Sequence, residues 1–193
     1  IMKKIITLLF FIFSSSYGQT SGCTDTQAKN FNPNATNNDG SCVYTPLKIK
    51  TETSFKISDS LVETSGLIVY DNLFWTHNDD LDTTIYGMNS EGKIQKKVKL
   101  ENVINTDWEA ISQDSSYIYI GDFGNNLSGN RKDLHILRIE KKSFLLNKPV
   151  IDTLSFSYSD QTEFNTQKAN TTDFDCEAFV VSQDSIYLFS KQW

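Results

Sequence analysis

Histidine is almost absent. His77 and His135 are the only two in 193 residues, so a histidine-rich zinc site or a serine–histidine–acid triad has little raw material, and oxygen ligands are what remains for metal chemistry. A basic excess is missing too. Eighteen Lys and Arg stand against 24 Asp and Glu, for a net charge of -6 and a pI near 4.9, whereas a nucleic-acid partner asks for a clustered basic face that neutralises phosphates. Nor is there a long apolar run. The most apolar stretch, residues 5–13, is about half the ~20 residues that a membrane-spanning helix needs, so no transmembrane segment is expected. Beyond it no segment sustains a long 3.6-residue periodicity, which leaves helical folds without support. What is present is 38% hydrophobic and 22% charged residues, the composition of a folded protein long enough for one sizeable core.

The start of the chain carries its own pattern. Lys3 and Lys4 precede the apolar residues 5–13, and Ser16 and Gly18 put small residues at the two positions that a signal peptidase reads. Residues 1–18 thus read as a secretory signal peptide, and the protein is expected to be secreted or held at the cell surface. Ile1 ahead of Met2 suggests an unusual start codon or a translated fragment. Residues 19–46 hold Cys23 and Cys42 around a polar segment rich in Asn, Asp and Gly with almost nothing to bury. An exported segment of that kind needs a staple. A Cys23–Cys42 disulfide would supply roughly 3 kcal/mol by closing the loop. Cys176 is then the odd cysteine and reads as a free, buried thiol.

The run GCTD…NPNA…DGSC resembles modules that recur in secreted multidomain proteins of Bacteroidota, over nearly all of residues 22–42, with Asn38 where that pattern has an acid. Its oxygen-rich residues Asn32, Asn34, Asn37 and Asp39 have two readings, a calcium loop or a set of Asx-turns. The alternating carboxylates and closing glutamate of an EF-hand are missing.

From residue 47 onward one pattern repeats. Glu63, Glu109 and Glu177 each precede an apolar stretch, a polar turn and a second stretch rich in aromatics: Leu73-Phe-Trp-Thr, Tyr117-Ile-Tyr-Ile and Ile186-Tyr-Leu-Phe. That is a hairpin signature, with turns expected at Asp71-Asn72, Asp114-Ser115 and Asp184-Ser185. Two further strand candidates follow each of the first two hairpins, at 85–89 and 93–100, then at 134–140 and 150–157. The acids lie 46 and then 68 residues apart, a four-stranded unit and a four-stranded unit with insertions. An all-β fold, a β-propeller with four-stranded blades over 47–193, fits best. Residues 47–57 alternate apolar and polar as an outermost strand would. The third unit stops after its second strand, so the chain reads as a truncated N-terminal part of such a propeller, about two and a half blades.

In a propeller the loops entering each first strand share one face with the loops that join the second strand to the third. Glu63, Glu109 and Glu177 would gather there, preceded by Asp107, Asp173 and Asp175, together with His77 to Asp80 and Gly121 to Asn126. Carboxylates and amides converging in this way are ligands for a hard cation such as calcium. The alternative is fastening: acids at strand starts accept neighbouring N–H groups or pair with Arg131. Trp75 and Trp108 read as core.

The runs SGLIVYDNLFWTHND, DWEAI…YIYIGDFGNN…R and DCEAF…SIYLFSK resemble a group of secreted bacterial propeller proteins, mostly uncharacterised. There is a looser likeness to esterase-like phytases and calcium-dependent phosphotriesterases. The looser likeness implies metal ligands at Glu63, Glu109, Asn78 and Asn125; the repeat itself adds Glu177, Asp107 and Asp175 to the metal candidates. The resulting expectation is an extracellular recognition or scaffold module for a protein, glycan or small molecule. Its alternative is a calcium-dependent hydrolase of phosphoesters or lactones.

Overall fold

The structure is a computed structural model that describes residues 18–165 and 167–193. The expected signal peptide falls, but for Gly18, outside the described residues. The chain divides into two compact units, Ile1–Thr53 and Ser54–Trp193.

In the first unit Cys23 and Cys42 are disulfide-bonded, with their Cα atoms 4.8 Å apart. Two short strands, β1 (Ser21–Gly22) and β2 (Asn37–Asn38), pair in parallel. The polar side chains close turns on their own backbone. Asp25 Oδ1 accepts from Gln27 N (2.8 Å), Asn32 Oδ1 from Asn34 N (3.0 Å), Asn38 Oδ1 from Gly40 N (3.1 Å) and Asp39 Oδ1 from Ser41 N (3.0 Å). Asx-turns of the expected kind form at Asn32 and Asp39. Extended local turns joined by a cystine replace the hydrophobic core that so polar a segment cannot build.

The second unit is all-β apart from one helical turn. Strands β3 (Ile68–Tyr70), β4 (Leu73–His77), β5 (Thr84–Met88) and β6 (Ile94–Lys99) form one antiparallel four-stranded meander. Strands β7 (Trp108–Gln113), β8 (Tyr117–Asp122), β9 (His135–Glu140) and β10 (Ile151–Ser155) form a second. A two-stranded sheet follows, β11 (Asp175–Ser182) with β12 (Ser185–Lys191). A five-residue helix, α1 (Lys141–Leu145), sits between β9 and β10, in the stretch between the strand candidates 134–140 and 150–157. It is too short for periodicity to register, and Phe144 holds it by packing edge-on against Trp75 with ring centroids 4.7 Å apart.

Turn chemistry accounts for the hairpins. Asp71 and Asn72 both adopt left-handed backbone (φ 50° and 59°), the two-residue connection whose twist matches the strands it joins. Asp114 Oδ1 accepts from both Ser116 N and Tyr117 N at 2.7 Å. In the third hairpin Ser182 pairs with Ser185, so the turn is Gln183-Asp184, one residue earlier than the sequence suggested. No strand forms over residues 47–57, and Leu47 and Ile49 are exposed. Alternation alone does not make a strand; a neighbouring edge must take its N–H and C=O groups. The outer strand β6 instead carries Lys96, Lys97 and Lys99, all exposed, charges that discourage pairing at an open edge.

Period-two alternation decides the core. Along β8, Ile118 and Ile120 point to one face and Tyr119 to the other; along β9, Leu137 and Ile139 oppose Ile136. The first set joins Ile68, Trp75, Ile85, Val98 and Trp108 in one buried cluster between the two four-stranded sheets. The second set joins Phe123, Leu134, Cys176 and Phe179 in another, between the second sheet and the β11–β12 pair. Trp75 and Trp108 are fully buried. Each fully buried large apolar side chain contributes about 1.5–3 kcal/mol relative to exposure. The remaining face of the first sheet is covered by Ile57 and Leu61, which pack with Tyr86 and Met88.

The first strands of the sheets lie side by side, β7 against both β3 and β11. Just before β3 the backbone comes so close that a Cβ on Gly66 would stand 2.7 Å from the backbone nitrogen of Ile111. Gly66→Ala must therefore push β7 away. It is expected to destabilise the protein by about 1–3 kcal/mol, read as a lower urea midpoint at unchanged m-value.

Candidate functional site

Meander topology sends alternate connections to opposite ends. The tight turns 71–72, 89–93 and 114–116 occupy one end, and the longer connections 78–83, 100–107 and 123–134 occupy the other. Backbone hydrogen bonds lash these longer connections together. Trp108 N donates to Asp79 O (2.7 Å), Leu81 N to Asn105 O (3.3 Å), and Phe123 N and Gly124 N to Asp107 O (3.2 and 3.3 Å).

Three carboxylates meet at this end. Asp79 comes from the β4–β5 connection, Asp107 immediately precedes β7, and Glu109 is the second residue of β7; one oxygen from each lies within 4.8 Å of the others. A β-bulge aims Glu109. Trp108 pairs with Asp122 and Ala110 with Gly121, so Glu109 has no partner in the ladder. The same device recurs in β11, where Cys176 pairs with Ser190 and Ala178 with Phe189, leaving Glu177 as the extra residue. Gly124 makes room for the group: a Cβ there would stand 2.3 Å from an Asp107 carboxylate oxygen and 2.6 Å from Glu109 Oε1.

Like charges held together in partial burial perturb one another. Burial, then the charges of Glu63, Asp80 and Glu177, raise the Asp79 carboxyl above its usual range. Burial and Asp79 push Asp107 up to about 6, against the pull of Arg131. Burial, then Asp107, Glu177 and Asp79, push Glu109 up to about 8. Asp79 Oδ1 is buried without a hydrogen-bond partner. The nearby guanidinium does not relieve the trio directly, because Arg131 is engaged by Asp122 (2.7 Å) and Asp133 (3.1 Å) and donates to Gly124 O (2.8 Å). An all-carboxylate set with an unsatisfied buried oxygen could hold a metal ion, and its ligand chemistry suits a hard one.

The residues singled out in the sequence divide. Asp107 and Glu109 belong to the trio. Glu63 is exposed, has left-handed backbone (φ 54°) and lies in the loop ahead of β3 rather than at its start, yet its charge reaches Asp79. Glu177 contributes charge to Asp79 and Glu109 while lying 3.3 Å from Lys191 Nζ. Asp175 is fully buried and accepts from Asn125 N (2.7 Å) and Trp193 Nε1 (2.8 Å). Asn125 in turn accepts from Arg131 N and donates to Phe174 O. Asn78 accepts from Val62 N and donates to Ser60 O and Asp82 Oδ2. Asp175, Asn78 and Asn125 thus fasten loops, while Asp79, Asp107 and Glu109 carry the unrelieved charge.

Asp79 was not singled out; the sequence pointed to its loop but to Asn78 as the ligand. The bond from Trp108 N holds the Asp79 backbone next to β7, while the Asn78 amide is taken up by Val62, Ser60 and Asp82. His77 is fully buried, its Nδ1 lies 3.0 Å from Asn78 O, and burial lowers its pKa. His135 Nδ1 is 2.7 Å from Asp133 O. Cys176 is a buried thiol pushed up to about 11, chiefly by burial, so it stays protonated and unreactive at neutral pH.

Compared with protein-family models, with curated proteins and with solved structures, the chain matches none.

A carboxyl whose folded pKa is raised favours the folded state while protonated, and that stability is lost as pH rises through the folded pKa. In metal-free buffer the melting temperature is therefore expected to fall from pH 5 to pH 8, with Asp107 (about 6) contributing in the lower part of the window and Glu109 (about 8) throughout it. Glu109→Gln is expected to flatten the upper part and raise the melting temperature at pH 8. A metal-free wild-type melting temperature that does not change between pH 6 and pH 8 contradicts this picture.

Proposed function

We propose that the two meanders and the β11–β12 pair are successive blades of a β-propeller, and that the protein acts outside the cell as a recognition or scaffold module whose acidic end binds calcium. Three features support the propeller reading: in-order four-stranded meanders, burial of both faces of the second sheet, and first strands lying side by side. The disulfide is compatible with an oxidising, extracellular setting, and no helix among the described residues is long and apolar enough to cross a membrane.

One observation carries the calcium assignment: three mutually repelling carboxylates, drawn from two connections and a bulge, with no base of their own. Calcium accepts six to eight oxygens in flexible geometry, whereas magnesium demands a tight octahedron and keeps its waters. Carboxylates drawn from separate segments of the chain suit calcium better. A ligand with hydroxyl or carboxylate oxygens could complete the coordination, which is how such a site would recognise a glycan, a protein side chain or a small molecule.

The competing reading is a calcium-dependent hydrolase of phosphoesters or lactones. It would need a proton acceptor or a cationic clamp beside the ion. Among the described residues His77 is buried and Arg131 is engaged by two aspartates, so recognition is the better-supported function.

Calorimetric titration of the intact protein with calcium and magnesium tests the assignment. Saturable calcium binding with weaker magnesium binding is expected, and calcium at a hundredfold excess over Kd should stabilise the fold by about 2.7 kcal/mol. Asp79→Asn and Glu109→Gln should each weaken binding about tenfold or more, equivalent to about 1.4 kcal/mol. If the acids only fasten loops, the same substitutions will shift the melting temperature equally with and without calcium. Turnover of a phosphoester or lactone panel that calcium supports and Asp79→Asn abolishes would favour the hydrolase.

A further inference from the structure

At the opposite end of the sheets from the acidic trio lies a cavity of about 350 Å³ lined by Tyr70, Ser115, Ser116, Tyr117, Glu140, Lys141 and Lys142. Its floor contains an uncommon group, a lysine only 8% exposed. The Lys141 ammonium donates to the backbone carbonyl of Asp114 (2.5 Å) and lies 4.5 Å from the centre of the Tyr70 ring. Among the described residues it forms no ion pair. Buried charges are ordinarily paired. The Asp114 carboxylate steadies it only from a distance, because its own oxygens accept from Ser116 N, Tyr117 N and Tyr119 Oη.

Ser115 and Ser116 line the cavity together with Lys141, and their hydroxyls can donate. The hydroxyls of Ser115 and Ser116 stand 3.5 Å apart, and the backbone beside them is anchored by Lys141 N donating to Ser116 O. Lys142 is exposed at the rim, and Glu140 is the one acid in the lining. We infer that this cavity binds an oxyanion, a carboxylate, sulfate or phosphate group, with Lys141 as its charge partner and the Ser115 and Ser116 hydroxyls as hydrogen-bond donors. The anion's oxygens would take a charge-assisted hydrogen bond from the ammonium, beside the one it gives to the Asp114 carbonyl, and hydroxyl hydrogen bonds in place of the long Ser115–Ser116 contact. The cavity has room for more than a bare ion, and the tyrosine rings supply apolar wall, so an anionic sugar fits as well as a free anion. The inference does not involve the acidic trio and stands or falls apart from calcium binding.

The test is NMR of the lysine side-chain ammonium groups in the intact protein at constant ionic strength, titrated separately with sulfate, phosphate and glucuronate. A saturable one-to-one shift of the Lys141 signal is expected with at least one of them. Preference for glucuronate identifies a sugar acid as the source of the group, and equal response to the inorganic ions identifies a free anion. Lys141→Met keeps the aliphatic stem and removes the charge, and should weaken binding tenfold or more by calorimetry. Should that variant not fold, the double substitution Ser115→Ala and Ser116→Ala, at exposed turn positions, should weaken binding several-fold. No saturable shift of Lys141 in the wild type, or undiminished binding in the variants, overturns the inference.

Discussion

Burial of the second sheet on both faces is the constraint from which the rest of the Ser54–Trp193 unit follows. Ile118, Ile120, Leu137 and Ile139 on one face and Tyr119, Leu134 and Ile136 on the other leave that sheet no side it can give to water. Neighbouring sheets must cover both, the first through Trp75 and Val98, the β11–β12 pair through Phe179 and Cys176. Because the apolar surface removed from water is roughly proportional to contact area, the sheets stack face to face, and their first strands come together along one line. The close approach of Gly66 to the Ile111 backbone is the local consequence.

That stacking determines where charge accumulates. Strands that meet side by side bring the connections at one end into contact, and hydrogen bonds from Trp108 N, Leu81 N and Gly124 N lock them there. Carboxylates on those connections are then forced together whether or not an ion relieves them. The cost appears in the raised pKa values of Asp79, Asp107 and Glu109. Elsewhere the structure relieves its buried acids, Asp122 by Arg131 and Asp175 by Asn125 and Trp193, and the half-buried Asp114 by Tyr119 and its own turn. The trio has no such ion pair among the described residues, and an unrelieved buried group is more informative about function than a satisfied one.

Much of the fold is legible from residues taken a few at a time. Asp71-Asn72 reads as a turn because asparagine and aspartate tolerate left-handed backbone. Alternation of Tyr117 to Ile120 reads as a strand because side chains in a strand switch faces at each residue. Two errors share one cause. Residues 47–57 alternate as convincingly as β8 but form no strand, since nothing local says whether a partner edge exists. Residues 141–145 read as turn because a single helical turn has no period to detect; tertiary contact between Phe144 and Trp75 stabilises it.

The candidate site divides along the same line. The sequence by itself determined that acids recur at the entrances to apolar strands, that imidazole and thiolate ligands are scarce, and that Cys23 has Cys42 as its natural partner; these are properties of residue type and spacing. Only the tertiary structure decided which acids meet. A bulge exists only relative to the strand opposite, so the aim of Glu109 depends on how Trp108 and Ala110 pair with β8. The choice between Asn78 and Asp79 rests on long-range partners: Val62 and Ser60 occupy the Asn78 amide, and Trp108, 29 positions away, holds the Asp79 backbone beside the acids. Whether a given amide or carboxylate is free or spent, as for Asn125 and Asp175, depends on partners up to 50 residues distant. Local sequence sets the conformations a segment can adopt, but long-range packing sets which of its polar atoms are left without a partner, and those atoms define the site.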